Sequence, residues 1–215
     1  MSSTKSKLRL IGALGALAAL ALAVSCRGFF VNPTVTALTI TPSTPTVPLG
    51  GTTQLTAYAT FNDGSTGNVT NKASWSSNSG IVTVSSGGLL TGKSLSSSTA
   101  TITALDQTIT QTATASVCVE GGSNFAISPK NASVAAGAQV QYAASATAVI
   151  NGVNTPGIDI TPGVQWSSSD SSVTIVSGTD PAIATTTTAA SNVTITASYT
   201  CNGVTNTFTT GLTVQ

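Results

Sequence analysis

The chain predicts an all-β protein of two tandem sandwich domains behind an N-terminal export segment, and three observations carry that prediction. After the leader, apolar residues recur with a period of two and almost no stretch shows a helical period. One strand-and-turn unit is written twice, its matching landmarks 87 to 93 residues apart. Polarity comes from hydroxyls: only 6% of residues are charged and 5% aromatic. With a positive mean hydropathy, this opposes the high-charge, low-hydrophobicity signature of a disordered chain.

The first element is the leader. Lys5, Lys7 and Arg9 form a basic start, and the apolar run Leu10 to Val24 follows. It is shorter than the roughly 20 residues a spanning helix needs, so residues 1–25 read as a signal peptide and an uncleaved anchor helix is disfavoured. Leu22-Ala23-Val24-Ser25-Cys26 resembles the lipobox of bacterial lipoproteins. The resemblance implies that Cys26 is lipidated and becomes the N-terminus, that residues 26–36 are a tether, and that the membrane is a partner through the lipid. Ala23 stands where that motif prefers Leu, Val or Ile, and plain cleavage after Ser25 is the alternative. Arg27 occupies the place of an inner-membrane retention aspartate, which implies a location in the cell envelope at the outer membrane or cell surface.

Without the leader the cations are Arg27, Lys72, Lys93 and Lys130 against six acids. No basic footprint remains, and nucleic acid is not an expected partner.

The repeated unit comes next. Leu38-Thr-Ile-Thr-Pro42 recurs as Phe125-Ala-Ile-Ser-Pro129, Ser74-Trp75-Ser76-Ser77 as Gln165-Trp166-Ser167-Ser168, and Thr101-Ile-Thr-Ala104 as Thr194-Ile-Thr-Ala197. The offset grows from 87 to 91 to 93, so the second copy carries short loop insertions on one topology. Two domains follow, at 37–120 and 121–215, joined near Gly121-Gly122-Ser123. Leu55, Ala57, Ala59 and Phe61 alternate with polar residues, as do Val140, Tyr142, Ala144 and Ala146 in the second copy. Ala100, Ile102 and Ala104, and Val193, Ile195, Ala197 and Tyr199, do the same. These are half-buried strands. Asn62-Asp63-Gly64, Gly87-Gly88, Asn151-Gly152, Thr155-Pro156-Gly157 and Asn202-Gly203 mark turns between them.

On these residues the chain resembles the bacterial Ig-like domain, group 2. The first copy carries the pattern in Trp75, Val82, Val84, Gly88, Leu90, Gly92, Ala100, Ile102 and Ala104, and the second keeps Trp166, Val173, Ile175 and Ile195. The second copy has Asp180-Pro181-Ala182-Ile183-Ala184 in place of Gly-x-Leu-Thr-Gly, which leaves its middle hairpin open. The resemblance implies two tandem immunoglobulin-like β-sandwich domains, and surface proteins of the intimin and invasin type whose ligands vary.

Chemistry-bearing residues are sparse. The chain has no His, which removes Ser-His and Cys-His nucleophiles and His-ligated metals. Asp63, Asp106, Glu120, Asp159, Asp170 and Asp180 mostly lie in turn contexts. Asn62-Asp63-Gly64 and Asp159 lack the alternating acidic loop of a calcium site, so no metal or cofactor is expected. Trp75 and Trp166 stand at the same place in both copies and are expected as core anchors, with sugar-stacking platforms as the alternative. Asn68-Val-Thr, Asn131-Ala-Ser and Asn192-Val-Thr match the N-glycosylation pattern and read as coincidence in a Ser/Thr-rich chain.

With Cys26 lipidated, Cys118 and Cys201 remain as an even pair. Cys118 has side-chain parity opposite to Val117 and Val119 at the end of the first domain. Cys201 precedes Asn202-Gly203 at the pole of the second domain that faces the first. This predicts a Cys118–Cys201 disulfide across the junction, against two free thiols or bridges to another chain. The expected function is non-enzymatic: a surface-anchored spacer, or an adhesion and binding module for a polysaccharide or protein ligand. The alternative is a carbohydrate-binding accessory protein, which needs exposed aromatics, and Tyr58 is the obvious outward-facing one.

Overall fold

The computed structural model describes residues 32–215, so the signal peptide and Cys26 lie outside the described residues. In the first half, alternation produces strands β1 (Val35–Thr41), β2 (Thr46–Pro48), β3 (Thr52–Gln54), β4 (Thr56–Phe61) and β5 (Thr66–Asn68). They continue with β6 (Ser74–Ser77), β7 (Val82–Val84), β8 (Leu89–Gly92), β9 (Ala100–Asp106) and β10 (Ile109–Cys118). One sheet has the order β2-β10-β9-β6, and β1-β4-β5 with β3-β8-β7 covers the other side of the core. Leu55, Ala57, Ala59, Ala100, Ile102 and Ala104 are all buried, as their period-two spacing requires.

The second half repeats this plan with β11 (Ser123–Ser128), β12 (Ala132–Val134), β13 (Gln139–Ile150), β14 (Val153–Asp159), a 3-10 turn (Thr161–Gly163) and β15 (Val164–Ser168). Strands β16 (Val173–Ile175), β17 (Ala182–Thr186), β18 (Ala190–Cys201) and β19 (Val204–Val214) complete it. The sheets are β12-β19-β18-β15 and β11-β13-β17-β16, with β14 on the outer side of β13. In both halves an early short strand runs parallel to the last long one, β2 on β10 and β12 on β19. The middle hairpin left open by Asp180-Pro181 is present: β16 pairs antiparallel with β17, with Val173 opposite Thr186 and Ile175 opposite Ala184. Ala182 and Ala184 are fully buried there, so small side chains hold the register without the glycines.

Two hydrophobic cores form. One runs from Val35 to Val117, the other from Cys118 to Val214. The second therefore begins inside the last strand of the first half, two residues before the boundary placed at 120.

The two tryptophans are not equivalent. Trp166 is buried, but Trp75 is only half-buried on the edge strand β6. The cause is what lies across the core. Tyr142 stands 87 residues after Leu55, and its ring packs against Trp166 with centroids 6.0 Å apart. The smaller Leu55 leaves Trp75 less covered, and Trp75 Nε1–H donates outward to the Thr70 carbonyl at 2.9 Å.

A buried threonine clasp recurs in both halves. Thr70 Oγ1 accepts from Ala57 N–H at 2.9 Å, and Thr161 Oγ1 accepts from Ala144 N–H at 2.8 Å. Each threonine's own N–H donates to a carboxamide or carboxylate two residues earlier, Asn68 Oδ1 at 2.9 Å and Asp159 Oδ1 at 2.8 Å. Asn68-Val-Thr is thus the counterpart of Asp159-Ile-Thr, and its Asn is a turn-forming acceptor.

Candidate functional site at the domain junction

The chain passes from one core to the other where β10 ends at Cys118, and Val119, beyond the strand's alternation, does not return to the core of Val117. Val117 enters the first core, while Cys118 and Val119 enter the second. Cys118 and Cys201 form a disulfide with Cα atoms 5.6 Å apart. Beside it Val119 N–H donates to the Tyr199 hydroxyl oxygen at 2.6 Å, and the Cys118 carbonyl accepts from Leu49 N–H at 2.8 Å. Leu49 and Leu95 of the first half pack against both cores. The turn β18–β19, carrying Cys201, thus grips the strand that enters its own domain.

The first domain has a weaker form of the same device. There Val35 N–H donates to Gln107 Oε1 at 3.1 Å, from the β9–β10 turn, with no cysteine among the described residues of that domain before Cys118.

A second contact comes from the other sheet. Ala57 and its clasp Thr70 are 13 residues apart, but Ala144 and Thr161 are 17 apart. The four-residue step in the repeat offset therefore falls in the β13–β14 hairpin, which it lengthens. Its end reaches the first domain, where Ile150 sits against Gly50. A Cβ built on Gly50 would lie 2.7 Å from Ile150 Cγ2, and Gly50 has φ +72°. Glycine is required there on both counts.

Beside the disulfide lies a groove of about 480 Å³, lined from both domains by Ser96, Ser97, Gln165, Ser177 and Thr200 among others. None of its lining residues is a carboxylate or a cation. Among the described residues there is no group of three or more His, Cys, Asp or Glu that could hold a metal ion.

The other candidate residues stay apart. Trp75 and Trp166 lie in separate domains, and neither offers an open ring face beside a groove shared by the two. Tyr58 is 46% exposed on the outer side of β4.

Hydroxyl pairing at the junction yields a contrast. Tyr142 and Tyr199 are both buried, but Tyr142 Oη meets no donor or acceptor in the protein whereas Tyr199 Oη accepts from Val119. Burial raises the Tyr199 hydroxyl above its ordinary range, and the Val119 hydrogen bond partly offsets this. Tyr199→Phe is expected to cost about 1–3 kcal/mol, because it strands a buried N–H. Tyr142→Phe removes a desolvated hydroxyl with no partner and is expected to be neutral or slightly stabilising. Urea titration of both variants checks the contrast, and equal losses would refute it.

The carboxylates differ in sign. The Ser65 hydroxyl donates to Asp63 Oδ1 at 2.6 Å and lowers that carboxyl's pKa, so its contribution is present at neutral pH and lost as pH falls. Asp180 is raised, by partial desolvation first and by the neighbouring Asp159 second. A raised carboxyl weakens the fold as pH rises through its titration. Asp180→Asn is therefore expected to melt higher than the parent at neutral pH, the gap closing in acid. A gap independent of pH would remove Asp180 as its cause.

Comparison with known proteins follows this geometry. Residues 34–117 match the model of the bacterial Ig-like domain (group 2). The chain is similar to Ice-binding protein 1 of Shewanella frigidimarina (strain NCIMB 400), 34% identical over 146 residues, covering 66% of this chain and 16% of that protein. It thus spans under a fifth of that relative's length. Among solved structures, the titin Ig tandem A164-A165 is 13% identical with a TM-score of 0.38, covering 83% of this chain and 97% of that two-domain chain. Domains 5-6 of the S-layer protein SbsC are 17% identical with a TM-score of 0.34, covering 86% of this chain and 100% of theirs.

Proposed function

From the premise that residues 34–117 are a bacterial Ig-like domain (group 2), we propose that this chain is a non-enzymatic spacer of the cell envelope. An N-terminal tether, lipid-anchored through Cys26, carries a stiff pair of Ig-like domains. The observation that supports this most is the junction, where a disulfide and the Ile150–Gly50 contact come from different sheets of the second domain and fix it to the first. The match to 16% of a longer relative fits a part that positions other parts.

The carbohydrate-binding reading has less support, because Trp166 is buried, Trp75 half-buried and Tyr58 the one exposed aromatic among the described residues. Ice binding is a second reading, favoured by the relative's name and by neutral hydroxyl rows on the outer sheet faces. Thr112, Thr103 and Ser76 are adjacent across β10-β9-β6, and Thr209, Thr196 and Ser167 across β19-β18-β15. Neighbouring strands in a sheet twist by roughly 20–25°, which carries such rows out of one plane and away from a flat lattice. Exclusion of the protein from slowly growing ice would remove that reading.

The spacer reading is tested in two measurements. Cys26→Ala is expected to abolish fatty-acid labelling and move the protein from membrane to soluble fractions. Spin labels placed one in each domain of the full chain are expected to give one narrow distance distribution. A broad distribution would end the stiff-spacer reading, and equal lipid labelling of the Cys26 variant would end the anchor.

A further inference from the structure

Tension along a chain follows the shortest covalent route between its ends. At Cys118 two routes diverge. One runs through residues 119–200, the other crosses the disulfide directly to Cys201, bridging a sequence separation of 83. The bridge is shorter, so residues 119–200 form a closed loop outside the loaded path. Both cysteines are buried, at 6% and 8% exposure, and both line the groove beside the bond.

The loaded remainder of the second domain is short and already straight. After Cys201 the chain turns at Asn202-Gly203 and runs as the single strand β19 from the junction to the far pole. A strand rises about 3.4 Å per residue, against a limit of roughly 3.6 Å for a fully drawn chain. Pulling β19 from end to end therefore adds little length, even if its neighbours let go.

The first domain has no such bypass. Load enters at β1 and leaves at Cys118, so the whole domain lies in series. Its resistance comes from the parallel β2–β10 pair, Thr46 to Ser116 and Val47 to Val117, loaded along the strands.

We propose that the Cys118–Cys201 disulfide is a mechanical shunt. It carries tension past the second domain, so that a pulled molecule lengthens by unfolding its first domain only. This rests on the spacer reading, since only a linking part meets tension.

Single-molecule extension of the mature chain from Arg27 onward, held by peptide tags at its two ends, tests this. The wild-type chain is expected to show one large increment, for residues 35–118, whose drawn length of about 290 Å at roughly 3.5 Å per residue is reduced by the span of the folded domain. A second event, from residues 201–215, is at most about 50 Å. The Cys118→Ser/Cys201→Ser double variant is expected to show a second large increment, from a drawn length of about 340 Å less the folded span, several-fold longer than that event. If that variant's second domain does not fold, a reductant jump on the stretched wild type decides. Bond cleavage must then release the closed loop as an added step of about 290 Å once the domain yields.

Two large increments from oxidised wild type, or no added length on reduction, would overturn the shunt. A chain with a narrow spin-label distribution that lengthens twice sinks the shunt alone. A chain with a broad distribution that lengthens once sinks only the stiff-spacer reading.

Discussion

Trp166→Ala is expected to cost the second domain about 3–5 kcal/mol, in line with other large-to-small changes at buried aromatics. Trp166 sits on β15 with its ring against Tyr142, in the same core as Ile160, Val164 and Ile195. Truncation would leave a cavity bounded by sheets on both sides, which can collapse little. A small domain has only about 5–15 kcal/mol in all, so the variant's second domain should be near its folding limit. Trp75→Ala removes a half-buried ring at a sheet edge and one hydrogen bond to Thr70. Its cost should be smaller and confined to the first domain. Calorimetry that resolves two transitions checks both. Equal losses for the two tryptophans would show that the difference in cover from Leu55 and Tyr142 has no energetic weight.

That asymmetry marks where sequence reading stops. Period-two spacing placed Leu55, Ala57, Ile102, Tyr142, Ile195 and Tyr199 in cores, because burial of a strand face depends only on parity along the strand. The opposite parity of Cys118 and Val117 was readable for the same reason, and it puts them in different cores. How deeply a side chain is covered depends on the facing strand, and so Trp75 read as an anchor equal to Trp166 although it packs only partly buried against its core. The Thr70 and Thr161 clasps had a signal, Asn68-x-Thr70 and Asp159-x-Thr161 at matching positions, but it was hidden inside a pattern read as glycosylation by chance. The turn of the β13–β14 hairpin was readable in Asn151-Gly152, but its extra length showed only as a four-residue drift in the repeat offset. Which loop took the insertion, and that it touches Gly50, are facts of three-dimensional closure that spacing does not encode.

Opening the Cys118–Cys201 bond is expected to destabilise the second domain by up to about 4 kcal/mol while leaving the first nearly unchanged. The reason lies in which chain segment the bond closes. Its sequence separation is 83, and that loop holds every strand of the second domain except β19. A loop of this length removes conformational entropy from the unfolded chain worth roughly 4 kcal/mol in the loop-closure account. Cys118 ends β10, so no part of the first domain's other strands lies inside the loop, and its unfolded state gains nothing from the bond. For a domain of about 100 residues, a 4 kcal/mol loss corresponds to a melting shift on the order of 15 °C or more. The Cys118→Ser/Cys201→Ser variant should therefore bring the second domain's transition down by that amount. The buried Val119–Tyr199 hydrogen bond and the shared packing of Leu49 and Leu95 remain to hold the domains together. A drop in the first domain's transition by a similar amount would mean that the two sandwiches unfold as one unit, and that the bond acts through their interface rather than through the loop.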